Sequence, residues 1–313
     1  MEGWCGGGRA MAEVGLVRLA QVAREVAESV LPLYSHPRSK RLYTQPQLVA
    51  ILCLMRYEGW TYREAVVRLA EHRELRQALH LARVPHFTTL QKFLKRLGEE
   101  ELEGLLAEAA KRLMPPDGAP FIGACDATGL RTSRASYYFV RRLREMGQEK
   151  GRRAWLKYSL LVEVKRRAIL AQRAGLGPCS DIPELPPLVA SGARVARLGV
   201  VVADAGFDSE ENHRFVREVI GALSVIPAKR GRPMREPRGY RGLMAISFPR
   251  ELYRLRNLAE TVISVMKRKL GDLAPGHTIH MQCKQALPSG LTYNLHLLKY
   301  ALSWRPPTVR PAS

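Results

Sequence analysis

Tyr253, Arg256, Glu260 and Lys267 stand in a Y-x2-R-x3-E-x6-K spacing near the C-terminal end of the chain. No Pro or Gly interrupts residues 251–267, so the segment predicts one continuous helix. At about 100° per residue the four side chains fall within an arc of roughly 60°. Leu255, Leu258, Val262, Val265 and Met266 project from the opposite side. Such a helix buries one face and presents a ring, two cations and a carboxylate on the other. A carboxylate flanked by cations suits a site that holds a metal ion beside phosphate; ordinary surface ion pairs are the plain alternative.

Two aspartates complete the set. Phe121-Ile-Gly-Ala-Cys-Asp126 reads as a short strand with Asp126 near its end. Leu198-Gly-Val-Val-Val-Ala-Asp204 reads as a nearly continuous apolar strand, as expected of one buried on both faces. In an open α/β sheet the strand ends form the crevice in which ligands bind. Carboxylates from two strands and a facing helix can converge there on divalent cations, and hard oxygen ligands suit Mg²⁺ or Mn²⁺. Two such ions can activate a water or a 3′-hydroxyl and stabilise the leaving oxygen of an in-line displacement at phosphorus.

The elements that must position these residues follow from patterning. Apolar residues at helical spacing across 12–34 predict a helix ending before Leu31-Pro32, and Ser35 to Arg41 forms a polar break. From Thr44 to about Leu113 helix punctuation is dense. Thr61-Tyr-Arg-Glu64 is a capping-box pattern preceded by Gly59 as a helix stop, and Thr88-Thr-Leu-Gln91 repeats the device ahead of Gly98. Short helices with tight turns, one carrying Lys92, Lys95 and Arg96, suggest a helix-turn-helix-like DNA-binding unit; a helical scaffold that only packs on the rest is the alternative.

After Pro115-Pro-Asp-Gly118 the texture changes to strands. Residues 157–164 and 168–173 predict two more, joined by Lys165-Arg-Arg167. A Pro-rich connection with a helix near Leu188 follows, and Ala222-Leu-Ser-Val-Ile-Pro227 is a fifth strand. The sum is an α/β sandwich around one mixed five-stranded sheet. The divisions are 1–43, a tail and helix in which Met11 is an alternative start; 44–114, helical; 115–304, catalytic; and 305–313, a tail.

Composition narrows the partner. Against 29 Asp+Glu the chain carries 50 Lys+Arg, a formal charge of +21, which favours a polyanion, most simply nucleic acid. The segment Lys229 to Arg241 holds six cations and one acid, with Lys229, Arg230, Arg232 and Arg235 leading, and its place before the Glu260 helix favours contact with a DNA backbone. Arg131, Arg134 and the Arg141-Arg-Leu-Arg144 run add candidate phosphate contacts. Five scattered cysteines without a CxxC do not form a disulfide framework and fit a reducing cytosol. No apolar stretch reaches membrane-spanning length.

The blocks Cys125-Asp-Ala-Thr-Gly-Leu130 with Tyr137-Tyr138, Ala203-Asp-Ala-Gly-Phe-Asp208 and Tyr253-x2-Arg256-x3-Glu260-x6-Lys267 resemble the DDE transposases of the IS4/IS5 insertion-sequence superfamily. The resemblance covers about residues 120–300, and Leu291-Thr-Tyr-Asn-Leu295 is similar to the family's closing helix. It implies an RNase H-like fold, with Asp126, Asp204 and Glu260 as catalytic ligands of two Mg²⁺ (or Mn²⁺) ions. It also implies that Tyr253, Arg256 and Lys267 contact the transposon-end DNA near the scissile phosphate. The expected activity is metal-dependent hydrolysis at terminal inverted repeats followed by strand transfer, in a homodimeric synaptic complex on double-stranded DNA in the cytoplasm. A non-catalytic DNA-binding regulator or domesticated transposase, and a plain metal-dependent nuclease, are the competing readings.

Among the remaining features, Asp208 or Ser209 is expected to cap the helix that follows, a cap being a better reading of Asp208 than a metal ligand, and Asp181 lies in a loop that could approach the crevice, without an assigned role. His277, His280 and Cys283 lack a fourth zinc ligand at a recognisable spacing. Trp155 is expected in the core.

Overall fold

The computed structural model describes residues 15–116, 118–132, 145–146, 155–229 and 238–301. Five strands make one mixed sheet: β1 (Phe121–Leu130), β2 (Trp155–Glu163), β3 (Ala168–Gly177), β4 (Leu198–Val202) and β5 (Leu223–Val225). Their order is β3-β2-β1-β4-β5. β1, β2 and β3 form an antiparallel meander, while β4 and β5 run parallel to β1. This is the mixed five-stranded α/β sheet expected of an RNase H-like fold, preceded by a helical N-terminal region.

Helices cover both faces. α1 (Leu16–Val30), α2 (Gln45–Glu58), α3 (Tyr62–Glu71), α4 (Arg73–Ala78), α5 (Phe87–Arg96) and α6 (Glu99–Lys111) come before the sheet; α7 (Leu185–Ala193) connects β3 to β4. After β4 come α8 (Glu210–Arg214), α9 (Gly239–Ile246), α10 (Arg250–Arg254), α11 (Asn257–Leu270), α12 (Ile279–Ala286) and α13 (Pro288–Ala301). One apolar cluster joins Leu19, Ile51, Leu90 and Leu105 to Leu156, Tyr158 and Leu160 of β2 and to Val262, Met266 and Leu295. A second, built from Leu161, Leu170, Leu188, Val201 and Phe207, fills the opposite face. The helical region therefore shares a core with the sheet.

Local chemistry explains most element ends. Thr44 and Thr61 each close a capping box, and Gly59 ends α2 at φ 71°, a conformation glycine reaches without a Cβ penalty. The expected cap at Thr88 is displaced: α5 starts at Phe87, and the His86 ring accepts the Thr88 N–H. Gly98 is the cap position opening α6 rather than a terminator alone. Asn294 of α13 pins the closing helix to the edge strand, accepting from Ile169 N at 2.9 Å and donating to Ile169 O at 2.8 Å. Ile169 lies where the β2–β3 register shifts, so a side-chain amide supplies the partners that a further strand would have offered.

Two expectations about the site's own elements are corrected. β1 is longer than its apolar run suggested, because antiparallel pairing with β2 carries it to Leu130, so Asp126 lies mid-strand. The helix expected over 251–267 is divided. Between α10 and α11 the hydrogen bonds tighten to i→i−3, Leu255 to Leu252, Arg256 to Tyr253 and Leu258 to Leu255. No Pro or Gly marks this 3₁₀ joint, and tight turns of that kind often stand beside functional residues.

Candidate active site

The three candidate carboxylates lie on or just beyond three elements. β4 stops at Val202, which pairs with Ala124, while β1 continues, so Asp126 is the first residue on that face beyond the end of β4. Asp204 follows β4 by two residues, and α11, carrying Glu260, packs against β1. The Asp204 carboxylate is held locally: its Oδ1 accepts the Gly206 N–H at 2.7 Å and caps the short 3₁₀ turn Ala205–Phe207. Asp126 Oδ1 accepts the N–H of Ala127 at 2.9 Å.

Arg256 links two of the acids. Its guanidinium is 2.6 Å from Glu260 Oε1 and 4.0 Å from Asp126 Oδ1, and it lies over the Tyr253 ring at 5.8 Å. The Asp126 and Arg256 side chains are 13% and 16% exposed, whereas Glu260 is 50% exposed and able to turn. Arg256 Nε is buried without a hydrogen-bond partner among the described residues, so the guanidinium has a donor still to place. Burial pushes the Asp126 carboxyl up to about 6; Glu260 and Asp204 nearby push the same way, opposed by the Ala127 N–H and by Arg256.

The arrangement fits divalent cations in donor chemistry, since a buried carboxylate of raised pKa beside two more calls for a neutralising charge. Among the described residues, no three His, Cys, Asp or Glu side chains stand close enough to hold a metal ion. Glu260 is instead paired with Arg256. Neither His277, His280 and Cys283 nor any other described trio forms a zinc site; Cys283 is buried with its thiol on Ala174 O.

Other candidates separate. Lys267 donates to Thr128 Oγ1 at 2.6 Å and to Gly129 O at 2.9 Å, contacts within the protein. Arg131 pairs bidentately with Asp272, through Nε at 2.8 Å and NH2 at 2.6 Å. Lys229 is exposed, whereas Arg230, Arg232 and Arg235, like Arg134 and the 141–144 run, lie outside the described residues. Trp155 is not in the core as expected: it opens β2 at 36% exposure, outside both apolar clusters, its ring covering Gly129 and Gly177.

Asp181 does approach the crevice, and Asp208 has a role beyond the one its sequence position indicated. Asp181 comes alongside Asp204: a Cβ on Gly206 would lie 2.6 Å from Asp181 Oδ2 and 2.8 Å from Asp204 Oδ1. Lys157, 3% exposed on β2, holds Asp181 at 2.5 Å while donating to Cys179 O and Ser180 O. A lysine within a largely apolar strand was the available signal. Asp208 is not the helix cap, since Ser209 Oγ accepts the Asn212 N–H. Its buried carboxylate grips Arg241 (2.7–3.1 Å) and the Lys229 N–H (2.8 Å), tying together both flanks of the basic segment. His213 faces Asp208 at 3.7 Å and Ser224 Oγ at 2.7 Å, but this Ser–His–Asp series is buried throughout and presents no nucleophile to solvent.

Residues 119–274 match the family model of the transposase DDE domain. No curated protein matches the chain. No helix among the described residues is long and apolar enough to cross a membrane.

Proposed function

We propose, from the match of residues 119–274 to the transposase DDE domain, that the protein is an insertion-sequence transposase of IS4/IS5 type. It binds the terminal inverted repeats of its element, hydrolyses a phosphodiester at each end and joins the exposed 3′-hydroxyl to target DNA. The observation that carries this reading is the single guanidinium shared by Asp126 and Glu260, beside Asp204 where β4 ends.

Transposase DDE domains generally use divalent metal ions. Asp126, Asp204 and Glu260 would hold Mg²⁺ or Mn²⁺, most simply two ions, which supply activation of the attacking oxygen and stabilisation of the leaving one. The rest falls to the chain itself. Arg256, with a buried N–H to place, is suited to grip a non-bridging phosphate oxygen once Glu260 turns away. Tyr253 stacks beside it and offers a hydroxyl. Lys229, Arg230, Arg232 and Arg235 supply backbone charge, as does the helical region 44–114 through Lys92, Lys95 and Arg96. Two ends must meet for strand transfer, so the working assembly is a homodimer on double-stranded DNA.

The test is to incubate the protein with Mg²⁺, labelled DNA carrying the flanking repeats, and a target plasmid. End-specific nicking with joined products, abolished by Asp204→Asn, supports the proposal. Binding without metal-dependent chemistry points to a regulator, and cutting without joining or end preference to a nuclease. Affinity falls steeply with ionic strength if many phosphates are contacted.

A further inference from the structure

Asp204 and the basic segment 229–241 are separate in sequence, yet one short stretch of chain holds both. Asp204 Oδ1 accepts the Gly206 N–H, Phe207 N donates to Asp204 O at 3.2 Å, and Asp208 N donates to Ala205 O at 3.3 Å. The buried Asn212 amide fastens Phe207 O at 2.8 Å and Ile182 O at 2.9 Å, while Ser209 Oγ accepts the Asn212 N–H. The backbone from Asp204 to Ser209 is thereby pinned along its length, and Asp208 and Glu210 hold a fixed place relative to Asp204.

Both flanks of the basic segment end on that turn. Asp208 Oδ2 accepts the Lys229 N–H at 2.8 Å and Arg241 NH2 at 2.7 Å, so two residues 12 positions apart meet on one oxygen. Glu210 takes the first amides of α9, the Tyr240 N–H at Oε1 and the Arg241 N–H at Oε2, each at 3.1 Å. It supplies an acceptor that α9 lacks locally, since Arg238 at the cap position makes no side-chain bond. Gly239 stands there at φ 71°, and a Cβ on it would strike the Glu210 carboxylate. Arg217 lies over the Tyr240 ring at 4.9 Å and is itself bonded to Ser224 Oγ. By charge alone Asp208 and Glu210 would repel phosphate. Each instead spends that charge on a flank of the segment. The bond to Lys229 engages its backbone, which leaves the exposed side chain for phosphate.

We propose that Asp208 and Glu210 are positioning residues which root the basic segment on the turn that bears Asp204, so that phosphate held by its cations is set in register with the Asp204 side of the crevice. The described flanks, Lys229 and residues 238–241, fix where the segment leaves that turn and where it returns. This rests on the transposase reading, in which Asp204 is a working carboxylate and the segment meets DNA.

The experiment compares Glu210→Ala and Asp208→Asn, each in the wild-type chain and in a stripped chain with Lys229, Arg230, Arg232 and Arg235 changed to Ala. Glu210 is the milder of the two sites because it is only part-buried. Affinity for the terminal-repeat duplex is measured across a salt series, and single-turnover cleavage at saturating duplex. Loss of an acid taken by itself tightens DNA binding, whereas loss of the root weakens it. In the wild-type chain both variants are expected to lower affinity about three- to tenfold, because the segment must then be ordered on binding. The salt slope should not change, since every cation remains. Cleavage at saturation should slow about 10- to 100-fold, the scale of an ångström-sized misplacement. In the stripped chain the same variants should change affinity and rate by less than about twofold, because the root has no cations to place.

Tighter or unchanged binding by Glu210→Ala in the wild-type chain overturns the proposal. So does an equal loss in both backgrounds, which is what damage to the fold alone produces. A wild-type chain that binds the duplex and never cleaves removes the transposase reading; weaker binding confined to the wild-type background then still upholds the root.

Discussion

Replacing Asp126 by Asn tests the electrostatics of the crevice without DNA. The Asp126 carboxyl titrates at about 6 instead of 3.8, chiefly because burial penalises its charge, with Glu260 and Asp204 adding to the shift. At 1.36 kcal/mol per pKa unit, this corresponds to about 3 kcal/mol of folding stability lost when the group is fully ionised. Because the folded pKa lies above the unfolded one, the fold favours the protonated acid. The cost is absent below about pH 4, grows between pH 4 and 6 and is complete above about pH 7. Asn keeps an oxygen for the Ala127 N–H and removes the charge. With the site part-solvated, Asp126→Asn should gain about 1–3 kcal/mol at pH 7.5 and nothing at pH 4, by urea unfolding without divalent ions. The same variant should lose end cleavage. A gain that does not vary with pH, or a destabilised variant at pH 7.5, refutes the account of a strained carboxylate waiting for a cation.

Further outcomes follow from neighbouring contacts. Gly206→Ala would push a methyl to within 3 Å of the Asp181 and Asp204 carboxylates, so cleavage should fall at least tenfold while duplex affinity stays within twofold in a gel-shift titration. Arg256→Gln removes a cation about 4 Å from Asp126, worth about 1 kcal/mol in a watery site, and should tighten Mn²⁺ binding about fivefold by electron paramagnetic resonance while slowing cleavage. Asp208→Ala leaves Arg241 and the Lys229 N–H without their acceptor and should cost about 3 kcal/mol in urea unfolding, with Arg241→Gln costing less because that side chain is 34% exposed.

Much of the site was legible as residue types at spacings. Asp126 and Asp204 close apolar runs that became adjacent parallel strands, and Glu260 lies on a helix that packs against one of them. Capping boxes at Thr44 and Thr61 are local, formed within four residues, which is why the Thr61 pattern could be read directly. The extent of β1 was not local: it depends on β2, some 30 residues later, and moved Asp126 from a strand end to mid-strand. The 3₁₀ joint ahead of Glu260 left no mark in composition either, since Leu255 and Arg256 are ordinary helix formers.

Chemical capacity belonged to the sequence by itself: three acids, a surplus of cations and the periodicities of strand and helix, each set by a residue and its near neighbours. Allocation among partners was decided only in three dimensions. Arg256 and Lys267 both carry a positive charge on one helical segment, yet the first meets Asp126 and Glu260 while the second is spent on Thr128 and Gly129. Asp181 and Asp208 likewise acquired their roles from Lys157 and Arg241, residues 24 and 33 positions away. The reason is physical. A charge acts through distance, and between residues far apart in the chain, distance is set by packing rather than by spacing.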